Sequence, residues 1–418
     1  MSVPTLRRNF LWATGGSVVM AISQWALQVL FTKLATSEHA GIEAAGTWSI
    51  ATAVTSPVFV FFLFKLRAIQ ATDQRGQYQW STYAVARSVG MAAAVVVTAL
   101  IIAVRYRSTA GVVIAGVGLM KLFEGFSDLV YGQLQQREEL WLMSLSQGAR
   151  GVAALVVGAV AYVTTRSVAV VALASAATYA VAMVVDLVVA TRRLGLTRPT
   201  WTDEVRPLLR TCVPLGMVTA IGSLQLNIPR YFLESDGGAA SLGVFSLVQY
   251  LLFAGSLIIT ALANVTVPRL AKQVAAGDWL AFARLLRKLI AMGLGLGVLG
   301  TLTVALIGRP VLRYVYNDTV AAYADLLVLS VATAGLSWTY LFFGTALDAM
   351  RRYRIQPWIH SVSAVVITVA SWIMVPRWSV YGAGWAMLTG VTIESILYFV
   401  AVAVPLRAEL RRRREVPA

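Results

Sequence analysis

Lys121, Glu124 and Asp128 interrupt an apolar run at spacings of three and four residues, which puts all three on one face of a helix. A charge inside a hydrocarbon layer costs several kcal/mol unless it is paired or wetted, so such residues mark functional sites by default. The stripe reads either as the wall of a water-filled cavity, with Lys121 open to a phosphate, or as a self-neutralising cluster at a helix end. A second constellation is Gln225, Asn227, Pro229, Arg230 and Glu234. Pro229 lacks a backbone donor, so a kink or break is predicted there and Pro229 is a hinge candidate. Arg230 is placed either to fork onto a phosphate or to pair with Glu234 four residues on. If the two halves of the chain face one another, Lys121 and Arg230 together would hold one pyrophosphate.

Arg87 and Arg150 stand near the ends of their apolar runs. They read as further cavity cations or as side chains that snorkel to headgroups. Asp186 and Glu394 are apolar-flanked carboxylates, candidates for coupling to H+ or Na+; a hydrogen-bonded structural acid is the other reading. Gln24, Gln28, Gln225 and Gln249 would either hydrogen-bond sugar hydroxyls or bridge helices. Covalent chemistry has little to work with. Cys212 is the single cysteine, so no internal disulfide is expected, and two distant histidines, His39 and His360, make no multi-histidine metal centre. There is no Gly-x4-Gly-Lys-Ser/Thr run for a nucleotide. No catalytic carboxylate or histidine cluster sits on a large external loop. The chain is expected to be no enzyme and to carry no cofactor beyond a coupling ion.

These residues need positioning elements, and composition says which. Of 418 residues 58% are hydrophobic and 13% charged, against about 25% charged in a soluble domain. A soluble globule is ruled out. At about 20 apolar residues per span, the chain is expected to be an all-α polytopic membrane protein of about twelve transmembrane helices. The spans are predicted near 10–33, 42–64, 83–104, 109–130, 144–163 and 168–190, then 213–234, 242–266, 289–307, 322–346, 358–375 and 382–404. That organises the chain as a six-helix bundle over 1–190, a cytoplasmic linker over 191–212, a second six-helix bundle over 213–404 and a basic tail over 405–418. The first run, behind Arg7 and Arg8, is too long for a signal sequence and reads as a span.

The net charge of +16 would suggest nucleic acid in a soluble protein. Here the charges cluster in short connections, and no nucleic-acid partner is expected. One side collects 24 Lys and Arg, the other seven, among them Arg107, Arg166 and Arg309. The excess predicts cytoplasmic termini. Arg411 to Arg414 read as an anchor for anionic phospholipids. Trp279 to Leu289 reads as an amphipathic helix on the cytoplasmic leaflet, or else as an extension of the ninth span. Internal matches favour duplication: Gly46-Thr47-Trp48-Ser49-Ile50 with Gly243-Val244-Phe245-Ser246-Leu247, and Arg137-x3-Trp141-x2-Ser144 with Arg354-x3-Trp358-x2-Ser361. Repeats with an even number of spans run parallel, about an axis along the membrane normal, and commonly enclose a cavity at their interface.

The stretch Asn227-Ile-Pro-Arg-Tyr-Phe-Leu-Glu234, with Leu242-Gly-Val-Phe-Ser246, Tyr250, Ala254-Gly255 and Pro268-Arg-Leu-Ala271 ahead of Gly277-Asp278 and Phe282, resembles the second half of the Wzx-like oligosaccharide flippases. These belong to the multidrug/oligosaccharidyl-lipid/polysaccharide (MOP) exporter superfamily. Arg8-Asn9-Phe10 and Leu122-Phe-Glu-x3-Asp128-x2-Tyr131-Gly132 carry a weaker first-half resemblance. The resemblance implies two six-helix bundles around a central cationic cavity. It also implies alternating-access flipping of undecaprenyl-pyrophosphate-linked oligosaccharide repeat units across the bacterial cytoplasmic membrane for surface polysaccharide. The polymerase and glycosyltransferases of that polymer would be its partners. The alternatives are an ion-coupled small-molecule or drug antiporter of the same fold and a non-transporting component of a polysaccharide assembly complex.

Overall fold

The computed structural model describes residues 6–415 except 74, 75 and 197; the side chains of 6–11, 13, 253, 254, 257, 258, 260, 261, 264, 265 and 412–415 are also outside the description. Arg7, Arg8, Arg75 and Arg412 to Arg414, which contribute to the topology count, therefore lie outside the described side chains. Every described element is helical. In chain order they are α1 (Leu6–Leu34), α2 (Glu38–Phe62), α3 (Leu66–Thr72), α4 (Trp80–Arg105), α5 (Thr109–Gln136), α6 (Leu140–Thr165), α7 (Val168–Leu194) and α8 (Val205–Tyr250), followed by α9 (Phe253–Ala275), α10 (Trp279–Val315), α11 (Asp318–Ala321), α12 (Ala324–Ala349) and α13 (Gln356–Glu415). Ten stretches among the described residues are long and apolar enough to cross a membrane. Two of these, α8 and α13, each join two helices across a non-helical residue: Gly238 (φ 66°, ψ −167°) and Ser379 (φ 47°, ψ −123°).

The chain divides into two compact units, Met1–Leu224 and Gln225–Ala418. In the first, small residues let helices approach closely, as membrane interfaces require. A Cβ added at Gly16 would lie 2.5 Å from Ser144 Cα, joining α1 to α6, and one at Gly116 would lie 2.7 Å from Ala172 Cβ, joining α5 to α7. Ser37 and Ser167 cap α2 and α7 by accepting from the N–H groups of Ala40 and Val170. Lys65, in the left-handed region (φ 50°), turns the chain from α2 into α3. In the second unit, α10 and α12 meet at Gly297 and Gly335, and a buried cluster gathers Phe282, Leu286, Phe342, Leu347 and Tyr398.

Three expectations need correction. The backbone is helical through Pro229, and the interruption in α8 falls at Gly238, nine residues later. In lipid, a proline costs one backbone hydrogen bond that neighbours can replace, whereas Gly238 adopts a φ that only glycine reaches without strain. The predicted span over 242–266 contains a tight turn: Leu251 and Leu252 donate to Val248 O and Gln249 O, separating α8 from α9. Trp279 to Leu289 is the first part of the continuous α10, capped by Asp278, whose side chain accepts from Ala281 N at 3.0 Å. Its apolar face, with Phe282, Leu286 and Leu289, packs into the core of its own unit. The periodicity signalled a face that needs covering and could not say by what.

Candidate functional site: a cationic cavity in the first unit

The face of α5 that carries Lys121, Glu124 and Asp128 lines a cavity of about 240 Å³ in the first unit, closed by Phe59 of α2, Leu63 just beyond it, Arg67 of α3, and Gln147 and Arg150 of α6. Asp128 is gripped from two sides. Arg67 Nη1 reaches Oδ1 at 3.1 Å and Arg87 Nη2 reaches Oδ2 at 3.0 Å. Arg87 is fully buried and also donates to Leu63 O at 3.2 Å. Arg150, also buried, donates to Glu124 Oε1 at 3.1 Å and lies over the rings of Tyr179 (4.8 Å) and Tyr131 (5.9 Å). Neither arginine snorkels, because each has a carboxylate partner inside its own bundle.

Lys121 makes no ion pair within 4 Å among the described residues, although it faces Glu124 electrostatically. The cluster of Arg67, Arg87, Lys121 and Arg150 against Glu124 and Asp128 thus carries two excess positive charges. Counting Asp186, whose field reaches Arg150, leaves one. Arg150 Nε and Nη1 and Arg87 Nε are buried donors without an acceptor among the described residues. Unmet donors in a positively charged, low-dielectric pocket are costly on their own and suit an anion with several oxygens.

Asp186 lies beyond Tyr131. Ser146 Oγ donates to its Oδ1 at 2.6 Å and Tyr131 OH to its Oδ2 at 3.1 Å. It also lines an apolar groove of about 410 Å³ between α6 and α7, to which Arg150 and Arg193 contribute. Gln28 is fully buried, and neither amide atom has a hydrogen-bond partner among the described residues. The second unit holds the remaining candidates. Arg230 Nη1 donates to Asn227 Oδ1 at 3.2 Å, and its Nε is buried without a partner among the described residues. Gln225 donates to Ser363 Oγ at 2.7 Å and to the fully buried Glu394. Gln249 Nε2 reaches Met387 Sδ at 3.2 Å.

Sequence reasoning missed Arg67, Tyr131 and His360 as site residues. In sequence Arg67 is one more charge between apolar runs; the turn at Phe64 and Lys65, both with positive φ, folds it back onto α5. His360, set aside as one of two distant histidines, contacts Glu394 at 2.8 Å. No spacing rule links residues 34 positions apart.

The family model of the lipid II flippase MurJ matches residues 82–335, more than half of the chain. The chain belongs to the MurJ family. Over 398 residues it is 23% identical to the capsular polysaccharide biosynthesis protein CapF of Staphylococcus aureus, covering 94% of this chain and 98% of that one. Its fold is similar to an inward-facing multidrug resistance MATE family transporter of the MOP superfamily, at TM-score 0.73 and 13% identity over 96% of this chain and 99% of that one. It is also similar to the lipid II flippase MurJ in an inward closed conformation, at TM-score 0.71 and 9% identity over 93% and 86%. The all-α polytopic fold and the place among Wzx-like MOP flippases agree with the sequence reading. This is a multi-pass membrane protein whose family and structural neighbours are transporters and flippases.

Proposed function

We propose that the protein flips a polyprenyl-pyrophosphate-linked oligosaccharide from the cytoplasmic to the outer leaflet of the bacterial cytoplasmic membrane for surface polysaccharide synthesis. The observation that carries the reading is the cavity bounded by Arg67, Lys121 and Arg150, with Arg87 behind Asp128, whose buried donors outnumber its acceptors. A pyrophosphate and its sugars cannot enter hydrocarbon bare, because each unpaired charge or hydroxyl is penalised there. Arg150 and Lys121 replace water around the phosphates, while Glu124 and Asp128 hold the arginines in place so that binding needs little reordering. The family membership and the likeness to a capsule biosynthesis protein support the substrate class. Alternating access, cytoplasmic termini and association with anionic phospholipids, a polymerase and glycosyltransferases belong to the same reading.

The test is reconstitution into liposomes with a labelled lipid-linked oligosaccharide, following its accessibility in each leaflet. Flipping by the wild-type protein, inhibited by soluble pyrophosphate and reduced in Arg150→Gln, is the expected result. Absence of flipping together with movement of a cationic drug would establish the antiporter reading. Inactivity toward both would leave an assembly role.

A further inference from the structure

We propose that Tyr131 is the positioning residue of the cationic cavity: its ring holds Arg67 and Arg150 at the cavity wall, and Asp186 tethers the ring by its hydroxyl. The role deepens the flippase reading and rests on it for the identity of the bound anion as a pyrophosphate.

Tyr131 stands three residues after Asp128 and seven after Glu124, on the same face of α5. It is buried, and it lines the cavity. Arg67, from α3, places its guanidinium carbon 5.8 Å from the centre of the ring, and Arg150, from α6, places its own at 5.9 Å. Each arginine therefore has a carboxylate of α5, Asp128 or Glu124, and a share of the same ring. The two contacts do different things. The carboxylate grips a single nitrogen and leaves the guanidinium free to swing about that bond, whereas the negative face of a ring within about 6 Å attracts the cation as a whole, more strongly where water is excluded. Arg67 and Arg150 also repel one another across the cavity, and a ring shared by both offsets part of that repulsion. Tyr179 adds a second ring to Arg150 at 4.8 Å. Tyr131 is the one that serves both arginines.

The neighbouring backbone brings Arg67 within reach. Gly132 has no side chain, and a Cβ in its place would run into the buried side chain of Gln70 on α3. Arg67 lies three residues before Gln70, on the same side of α3. The close approach of α3 at Gly132 thus sets Arg67 beside the Tyr131 ring. The run Leu122-Phe-Glu-x3-Asp128-x2-Tyr131-Gly132 accordingly supplies two carboxylates, the ring and the gap that admits α3.

The far edge of the ring is fixed from outside the cavity. The Tyr131 hydroxyl donates to Asp186 Oδ2 at 3.1 Å, and Ser146 Oγ donates to Oδ1 at 2.6 Å. Tilting the ring away would leave a buried carboxylate short of a donor, which is costly inside a membrane-spanning bundle.

The experiment measures, by calorimetry, the binding of inorganic pyrophosphate to the full chain in lipid nanodiscs, below the melting temperature of each variant. Tyr131→Leu removes the ring and is expected to weaken binding about 5- to 30-fold, the worth of desolvated cation–π contacts. Tyr131→Phe keeps the ring, loses the tether and is expected to fall between Tyr131→Leu and the wild type. A residue that only fills space would cost the same in every background. Here, adding Tyr131→Leu to Arg67→Gln or to Arg150→Gln is expected to cost less than in the wild type, because one of the two ring contacts is already gone. A second readout needs no ligand: modification of Arg67 and Arg150 by phenylglyoxal, followed by peptide mass spectrometry, is expected to accelerate in Tyr131→Leu and to do so less in Tyr131→Phe. Wild-type affinity in Tyr131→Leu, equal losses in the Phe and Leu variants, undiminished losses in the arginine backgrounds, or unchanged modification rates would each overturn the role. If the wild type binds no pyrophosphate, the flippase reading loses the observation that carries it, and the modification rates alone decide on Tyr131.

Discussion

Within the first-unit cavity, Arg87 and Lys121 do different work although both are cations on membrane-spanning helices. Arg87 is fully enclosed and bound to Asp128. Removing one partner of a buried pair costs about 3–5 kcal/mol; because Arg67 still faces Asp128, Arg87→Met is expected near the lower end, read as a fall in thermal stability in detergent. Lys121 has no carboxylate within ion-pair distance among the described residues. Lys121→Gln is expected to leave the melting temperature unchanged and to weaken lipid pyrophosphate binding by about 1.5–3 kcal/mol, the worth of a hydrogen bond to a charged group, or roughly 10- to 150-fold. Equal melting and equal binding in both variants would remove the division between scaffold and ligand cations.

Asp73 supplies a pH-dependent feature outside the spans. Burial pushes its carboxyl up, but the Gln77 and Tyr78 backbone N–H groups (2.9 and 3.1 Å) and the Tyr83 hydroxyl (3.2 Å) outweigh that, so it sits below its ordinary value. A depressed carboxyl stabilises the fold above its unfolded-state pKa, about 3.9, and the contribution fades as pH falls through the lower folded value. Hydrogen-exchange protection of the Gln77 and Tyr78 amides is expected to be full at neutral pH, to decline below about pH 4, and to be absent at all pH values in Asp73→Asn.

Among elements, the α10–α12 contact depends on backbone proximity. A Cβ at Gly335 would lie 2.5 Å from Gly297 Cα, and one at Gly297 2.7 Å from Gly335 Cα. No side chain can yield there, so Gly335→Ala must part the helices. The expected cost is about 1–3 kcal/mol, the range for overpacking, measured as lost thermal stability in detergent. Gly295→Ala on the same helix meets nothing within 4 Å and is the control. The same reasoning separates Gly238 from Pro229: helix α8 is interrupted where the backbone needs a positive φ, and the proline remains inside a helix.

For the whole molecule, the distribution of positive residues makes an expectation about sidedness. In a Cys212→Ala background, a cysteine at Arg198 is expected to react with an impermeant reagent only from the cytoplasm, and a cysteine at Arg107 only from outside. Labelling of Arg198→Cys from outside would reverse the orientation.

Hydropathy and charge spacing are enough to read an all-α, multi-pass membrane protein, and the motif around Asn227 to Phe282 is enough to place it among the MOP flippases. Both are local properties: an apolar run long enough to cross a bilayer is written in consecutive residues, and so is the helical face of Lys121, Glu124 and Asp128. Pairing is different. Arg67 joins Asp128 across 61 positions, Arg87 across 41, and His360 joins Glu394 across 34. Sequence alone leaves Arg150 open between cavity and headgroups, and Trp279 to Leu289 open between membrane surface and bundle. Tertiary packing decided each of these, because a buried charge takes whichever partner the neighbouring helix brings within hydrogen-bond reach, and an apolar face is covered by whichever helix docks against it.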